Sequence, residues 1–131
     1  MKYLLIVSHA TFAEGIRAAL EMLLGPRDGL FACGLAEEDS PQDFKNHLRD
    51  TLGDVTASDE FVVLADIAGG SPERSAVEVL DDMGLAERKI VLGGANLPMA
   101  ISAVMGIEEG FDLEALRDGL LVDGTQAVRQ L

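Results

Sequence analysis

The stretch LLIVSHATFAEGI, residues 4–16, contains a transition from an apolar strand to a helix. It opens with an apolar run, passes through Ser8 and His9, and continues into a segment whose apolar residues recur at helical spacing. A near-continuous apolar run is typical of a strand that is buried on both faces, as in a parallel sheet. We therefore predict a strand over residues 3–7 that leads into a helix, with a histidine at the junction.

Three more apolar runs, residues 29–35, 61–65 and 89–92, predict further strands. Each is followed by turn or capping residues and then by a segment with helical periodicity. The helices are predicted to start, in order, at Phe12, Ser40-Pro41, Ser71-Pro72 and Leu97-Pro98. In the second and third helices the serine is the predicted N-cap and the proline the first helical residue.

The alternation of strands and helices predicts an α/β fold. We expect a three-layer sandwich, with helices on both faces of a mainly parallel four-stranded sheet. If strand 1 is central, strand 3 commonly lies beside it, and we expect the strand order 2-1-3-4. Beyond Gly110, residues 113–121 predict a further helix, and the terminal GTQAVRQL, residues 124–131, fits a short strand or a frayed tail. The length of 131 residues is that of one domain, residues 1–131.

The composition excludes several classes of protein. Hydrophobic residues make up 48% of the chain and aromatic residues 5%, so the core is expected to be aliphatic. No apolar run reaches about 18 residues, and MKYLLIVS is too short for a signal peptide, so we expect neither membrane insertion nor export. Cys33 is the only cysteine, which excludes an internal disulfide. These features together predict a cytoplasmic protein.

The chain is strongly acidic, with 23 Asp and Glu against 10 Lys and Arg and a formal charge of −13. Such a surface repels nucleic acid and anionic membranes, and it attracts a basic partner. Charge alone fits equally well a protein whose acidity only keeps it in solution.

Two polar side chains, His9 and Asp66, lie at the ends of the predicted strands 1 and 3. In an open α/β sheet, ligands bind beyond the carboxyl ends of the strands, near the point where the strand order reverses. Both side chains are therefore expected in one crevice, where Asp66 can accept a hydrogen bond from one ring nitrogen and leave the other free as a nucleophile. Taken alone, His9 fits a helix-capping or solvent-exposed histidine equally well.

Two predicted helix N-termini adjoin this crevice and can bind an anion. The N–H groups around Ala10, Thr11 and Phe12 open the first helix, and Gly70 and Ser71 open the third. The segment DIAGGSPERSA is not a P-loop, because no lysine follows its glycines at the required spacing. A glycine turn with an ordinary serine cap explains the same residues.

The remaining reactive residue types are isolated. His47 lies among polar residues of the second helix and is expected in solvent, and Cys33, in an apolar strand, is expected to be buried and inert. Two histidines far apart in sequence and one cysteine provide no metal-ligand spacing, so neither a metal nor another cofactor is expected.

Three segments together resemble the signature regions of the mannose-family IIA components of the bacterial sugar phosphotransferase system (PTS). They are SHATFAEGIRAALEMLLG, LADIAGGSP and GGANLPMAISAVM, in this order, and the resemblance spans most of the chain. It implies a phosphotransferase that acts as a phosphocarrier. His9 would accept a phosphoryl group from the phosphocarrier HPr and pass it to a IIB component, which serves the membrane components IIC and IID.

The resemblance also implies roles for residues around the histidine. Asp66 matches the family aspartate that orients the histidine, and Ser71 matches the serine that contacts the phosphoryl group. Gly70, Ala10 and Thr11 lie beside these positions and are further phosphoryl-binding candidates.

The resemblance extends to the fourth helix and to the assembly. The segment NLPM, residues 96–99, matches a family turn whose role is structural. Members of the family are homodimers whose last, antiparallel strand is exchanged between subunits, and residues 124–131 are the candidate for that strand.

This chain departs from the family pattern at four positions. Ala10 stands where glycine is usual, and Ala68 where an aromatic residue is usual. Glu73 and Arg74 replace the commoner Phe-Asn. We expect the alanine after the histidine to be a mild change, and the others to affect partner choice and rate.

The sequence leaves three other functions open. The phosphocarrier subunit of phosphoenolpyruvate-dependent dihydroxyacetone kinase shares the fold and the histidine, but it lacks the second glycine and the proline of GGSP. A Ser71-His9-Asp66 hydrolase lacks the G-x-S-x-G turn, and capping a helix would occupy its serine. A non-catalytic regulatory module with a response-regulator-like sheet would need an acidic pair where Ser8 and His9 stand.

Overall fold

Strands and helices alternate along the chain until the last two elements, which are both helices. A computed structural model describes all 131 residues. The elements are β1 Lys2–His9, α1 Phe12–Leu24, β2 Leu30–Leu35, α2 Pro41–Leu52, β3 Glu60–Ala65, α3 Ser71–Asp82, β4 Lys89–Leu92, α4 Leu97–Glu108 and α5 Leu113–Gln126. None of the helices has the length and apolar character needed to cross a bilayer.

The four strands form one parallel sheet in the order β2-β1-β3-β4, which confirms the predicted fold. The central strand β1 pairs with β2 and β3, and Val7 lies opposite Cys33 on one side and Ala65 on the other. The carboxyl ends of β1 and β3 therefore lie side by side. This register brings the residues that follow the two strands to the same edge of the sheet.

Each face of the sheet has its own aliphatic core, because successive side chains of a strand point to opposite faces. Leu4 and Ile6 belong to a cluster of 17 buried residues under α1, α4 and α5. Leu5 and Val7 belong to a cluster of 13 buried residues under α2 and α3. These two clusters together contain the buried hydrophobic side chains of the chain. By the same alternation His9 projects toward the α2–α3 side.

Most helix starts follow the sequence rules, and one differs. At α2 the side chain of Ser40 accepts the N–H of Asp43 while the Asp43 carboxylate accepts the N–H of Ser40, a capping box with Pro41 at the first helical position. The prediction that Ser71 caps α3 is wrong. Gly70 is the N-cap and Ser71 is already helical, because the preceding turn leaves Gly70 extended (φ −74°, ψ 167°).

The C-terminal segment also differs from the prediction. The helix expected over residues 113–121 continues to Gln126, so the proposal of a strand is wrong for residues 124–126, and residues 127–131 have no regular structure. The cause is tertiary: the carbonyl of Gly124 accepts a hydrogen bond from Asn96 Nδ2 at 3.2 Å. A Cβ at Gly124 would lie 2.5 Å from the Met99 Cε, so this glycine permits α5 to pack closely on α4.

Candidate functional site

The imidazole of His9 and the carboxylate of Asp66 meet where β1 and β3 end. Nδ1 of His9 lies 2.9 Å from Oδ2 of Asp66, and the backbone N–H of His9 donates to the same oxygen, also at 2.9 Å. The other carboxylate oxygen accepts the N–H of Ile67 at 2.9 Å. Three hydrogen bonds therefore fix the carboxylate, and the carboxylate in turn fixes the ring.

This geometry decides which nitrogen of His9 can react. An ionised carboxylate only accepts hydrogen bonds, so the neutral ring carries its proton on Nδ1 and its lone pair on Nε2. The side chain of His9 is 47% exposed and that of Asp66 only 14%, so the partner is enclosed while the ring can be reached. The site therefore presents an oriented, accessible nucleophile.

The hydrogen bonds keep Asp66 ionised. Partial burial alone raises the pKa of the Asp66 carboxyl, but the hydrogen bonds from the His9 backbone, the His9 ring and the Ile67 N–H outweigh it. The pKa therefore lies below its ordinary value of 3.8, and the group is a carboxylate at neutral pH.

Ser8 is a site residue that the sequence reasoning missed. Its side chain is fully buried, its Oγ accepts the N–H of Ala13 at 2.7 Å, and its hydroxyl donates to the His9 carbonyl at 3.0 Å. Thr11 occupies the N-cap position of α1 but its side chain makes no capping hydrogen bond. Ser8 therefore caps α1 from the end of β1 and ties the helix to the backbone of His9. A serine inside an apolar strand run is the one sequence feature that could have pointed to it.

The turn after His9 is tighter than the sequence indicates. Ala10 has φ +49°, in the left-handed region, and its N–H donates to the Leu35 carbonyl at 2.8 Å. The N–H of Ala10 is therefore already bonded to β2, whereas the N–H groups of Thr11 and Phe12 have no backbone acceptor. A Cβ at Gly34 would lie only 1.9 Å from the Ala10 carbonyl oxygen, so the glycine in β2 permits this turn.

The start of α3 lies against the His9 ring. A Cβ at Gly70 would lie 3.4 Å from Cε1 of His9, the ring atom between the two nitrogens. The Gly70 N–H donates to the Ile67 carbonyl and Pro72 has no N–H, so the free donors of this turn are the backbone N–H groups of Ser71 and Glu73. Because Ser71 is not the cap, its hydroxyl makes no capping hydrogen bond.

The segment after β4 supports the loop that carries Asp66. The N–H of Ala95 donates to the Ala65 carbonyl at 2.9 Å, and a Cβ at Gly93 would lie 2.5 Å from the Cβ of Ala68. Asn96 caps α4 by accepting the Met99 N–H at 3.0 Å. These contacts hold the loop between β3 and α3 against the sheet edge.

The other reactive residues are not part of this site. His47 is exposed on α2. Cys33 is fully buried, and burial, with smaller contributions from the charges of Glu14 and Asp39, raises the pKa of its thiol to about 12. A thiol with this pKa is protonated at neutral pH and is a poor nucleophile.

Comparison with known proteins identifies the class to which this fold and site belong. The family model described as the PTS system fructose IIA component (EIIA-man) matches residues 3–119. The chain belongs to this family of PTS IIA components, which confirms the resemblance stated from the sequence. Proteins of this family are phosphotransferases.

Individual relatives agree with this membership. The fructose-specific EIIA component of Bacillus subtilis is 24% identical over 116 residues, which span 88% of this chain and 77% of that protein. The mannose/sorbose-specific IIA subunit of Enterococcus faecalis has a TM-score of 0.80 and 27% identity, covering 100% of this chain and 96% of that one. The EIIA component of Streptococcus agalactiae has a TM-score of 0.84 and 24% identity, covering 99% and 97% of the two chains.

Proposed function

We propose that His9 carries a phosphoryl group between two proteins, accepting it from HPr and passing it to a IIB component that serves membrane components IIC and IID. The observation that carries the proposal is the 2.9 Å contact between Nδ1 of His9 and Asp66, which leaves Nε2 oriented and accessible. Since phosphoenolpyruvate, which drives such a relay, is made inside cells, we expect the protein to act in the cytoplasm.

The phosphoryl transfer requires no metal and no net gain or loss of a proton. Nε2 of His9 attacks the phosphorus of the donor phosphohistidine in line, a P–Nε2 bond forms, and the donor P–N bond breaks. The electron pair of the broken bond returns to the donor ring as its lone pair. The His9 ring becomes a phosphorylated imidazolium whose Nδ1–H stays on the Asp66 carboxylate, which offsets the new positive charge. Onward transfer to IIB repeats this step with His9 as the leaving group.

Donors without an acceptor at the starts of α1 and α3 are available to bind the phosphoryl oxygens. The Ser71 hydroxyl and N–H lie at the start of α3, and the N–H groups of Thr11 and Phe12 lie at the start of α1. Helix N-termini carry partial positive charge, and each stabilises an anion by about 0.3–1 kcal/mol. We assign phosphoryl binding to these groups, and to Gly70 the close approach of the backbone.

The surface around His9 fits a partner that is basic with an apolar centre. Phe12 begins the helix that follows His9, Ile67 directly follows Asp66, and their side chains are 48% and 56% exposed. Glu14 and Glu37 line a hollow with Ala10 on the α1 side. With the overall charge of −13, these residues would steer a basic donor or acceptor to the site.

We test this function by incubating the protein with phosphoenolpyruvate, enzyme I and HPr. We expect one acid-labile, base-stable phosphate per chain, absent in His9→Ala and retained in His47→Ala, which removes the other histidine. Labelling that persists in His9→Ala would exclude the assignment. Ester hydrolysis that depends on Ser71 would favour a hydrolase instead, although Ser71 makes no hydrogen bond to His9 of the kind that a nucleophile and its base need.

We further propose a homodimer in which the tail of one subunit pairs with the other. Strand β4 bonds only to β3, so its outer edge is unpaired, and residues 127–131 lie outside every element, with Val128 84% exposed. An unpaired edge favours the addition of a strand. Light scattering after size exclusion should give a dimer for the full chain and a monomer for a chain ending at Gln126; equal masses for both would contradict the exchange.

A further inference from the structure

The distribution of positive charge singles out Arg74. Of the ten Lys and Arg, seven form ion pairs with carboxylates, and Arg88 binds the carbonyls of Ser58 and Asp59. Only Arg74 and Arg129 have no such partner, and Arg129 lies in the irregular tail. In a chain with 23 acidic residues, Arg74 is therefore the one unpaired cation within the helices and strands.

The neighbours of Arg74 do not neutralise it. Glu78, four residues further along α3, is the expected helical partner, but its carboxylate pairs with Lys45 of α2. Arg74 itself is exposed, in a shallow hollow with Glu73 and Val77. Its guanidinium is therefore free to bind an anion that arrives from outside the chain.

The position of Arg74 connects it to the histidine. Its N–H donates to the Gly70 carbonyl at 3.1 Å, so Arg74 stands one helical turn beyond Gly70, where an added Cβ would lie 3.4 Å from Cε1 of the His9 ring. Side chains of a helix tilt toward its N-terminus, so Arg74 leans toward the turn of Gly70 and Ser71. That turn spans about 5.4 Å along the axis, a distance that an arginine side chain covers.

The phosphoryl oxygens lack a full positive charge to offset their own, because the charge of the phosphorylated His9 ring is already offset by the Asp66 carboxylate. A phosphoryl group adds roughly two negative charges at neutral pH, next to the Asp66 carboxylate and in a chain already at −13. The start of α3 offers few donors, because Gly70 N–H is already bonded and Pro72 has none. A guanidinium can bind two phosphoryl oxygens at once.

We propose that Arg74 is a phosphoryl-binding residue of this chain, whose guanidinium folds back over the first turn of α3 to bind the phosphoryl oxygens on His9. This inference rests on the proposed phosphocarrier function. Because Arg74 acts on the phosphorylated state, it raises the share of phosphoryl that this protein holds against its donor.

The test separates phosphoryl binding from partner docking. The equilibrium constant between phospho-HPr plus this protein and HPr plus the phosphoprotein depends only on the free species, so a docking contact changes rates but not this constant. We expect Arg74→Gln to lower the constant about three- to tenfold, the effect of losing one partly exposed charge-assisted pair. Arg74→Lys keeps the charge but not the planar fork, so its constant should fall between those of the unmodified chain and Arg74→Gln. Arg117→Gln, which removes an exposed cation whose partners Glu114 and Asp118 lie on its own helix, should match the unmodified chain. The Arg74→Gln effect should shrink as salt is raised.

A second measurement needs no partner protein. Phosphoramidate phosphorylates histidine directly, and the ³¹P resonance of phospho-His9, identified by its absence in His9→Ala, reports the titration of the phosphoryl group. Removing the guanidinium in Arg74→Gln should move this titration to higher pH. If the unmodified chain accepts phosphoryl but Arg74→Gln leaves both the constant and the titration unchanged, the role of Arg74 is refuted and the phosphocarrier function stands. If the unmodified chain accepts none from phospho-HPr, the function itself fails.

Discussion

Asp66→Asn is the substitution that most directly tests how the site orients its nucleophile. In the folded protein one carboxylate oxygen accepts both the backbone N–H and Nδ1 of His9, and the other accepts the N–H of Ile67. An amide has a single acceptor oxygen. If that oxygen faces His9, the amide NH₂ opposes the Ile67 N–H; if it faces Ile67, the NH₂ opposes the His9 N–H and donates to the ring. The second arrangement moves the ring proton to Nε2, the nitrogen that must attack.

The magnitude follows from the hydrogen bond that is lost. A hydrogen bond to a charged group contributes about 1.5–3 kcal/mol, and each 1.36 kcal/mol is tenfold in rate. We therefore expect phosphoryl transfer to slow about ten- to hundredfold while the fold is retained. Rapid-quench measurement of transfer from phosphorylated HPr gives the rate, and circular dichroism checks the fold.

Asp59→Asn is the matched control for this experiment. Asp59 also accepts backbone and N-terminal hydrogen bonds, and these bonds likewise hold its pKa below the ordinary value, but it lies at the opposite end of β3. It should leave the transfer rate unchanged. A transfer rate in Asp66→Asn equal to that of the unmodified chain would refute the orienting role.

The effect of Asp66→Asn on stability should depend on pH. Because the folded-state pKa of Asp66 lies below 3.8, the ionised carboxylate stabilises the fold at neutral pH. That contribution falls as the pH drops below about 4 and is lost once the pH passes below the depressed pKa. Urea midpoints of the unmodified chain and Asp66→Asn should therefore differ at pH 7, and the difference should narrow as the pH falls below about 4; a difference that stays constant would contradict the assignment.

Three further substitutions or reactions follow from the structure. Ser8→Ala leaves the buried Ala13 N–H without an acceptor and should lower the free energy of unfolding by about 1–3 kcal/mol, whereas Thr11→Ala should change it little; equal effects in urea denaturation would refute the capping role of Ser8. Ala10→Gly relieves a left-handed residue and should stabilise the fold by about 0.5–1 kcal/mol, while Ala13→Gly, in a buried helical turn, should destabilise it by about 1 kcal/mol or more; loss of stability in Ala10→Gly would show that the turn is not strained. Cys33, buried and with its thiol pKa raised to about 12, should resist iodoacetamide at pH 8 until urea unfolds the chain; rapid alkylation of the folded protein would contradict its burial.

The strand pattern was readable in the sequence because each strand is buried on both faces. The run before Ser8 and the run before Asp66 each place alternating side chains in two separate cores, so nearly every position must be apolar. Helix starts such as Ser40-Pro41-Gln42-Asp43 were predictable for the same local reason, since the cap bonds to residues three positions away.

Features that depend on competition between turns were not predictable. The sequence predicts Ser71 as the N-cap of α3. In the structure the turn closed by the hydrogen bond from the Gly70 N–H to the Ile67 carbonyl ends at Gly70, so Gly70 is the N-cap. Ala10 was expected to offer its N–H to an anion, but the neighbouring strand takes it through the carbonyl of Leu35. For Ala10 the acceptor of the N–H is a residue distant in sequence, and for Gly70 it is a residue of the preceding turn.

Local patterns were enough to predict the strands, the parallel α/β class and the polar residues at the ends of strands 1 and 3, because burial on two faces and the period of each element are local properties of the residues. The strand order is observed in the folded sheet, where β1 pairs with both β2 and β3. Only the tertiary structure decided that Ser8 caps α1, that Gly34 and Gly70 let backbone approach the His9 turn and ring, and that α5 runs through residues expected to form a strand. Those outcomes depend on distances of a few ångströms between segments far apart along the chain, which no local pattern encodes.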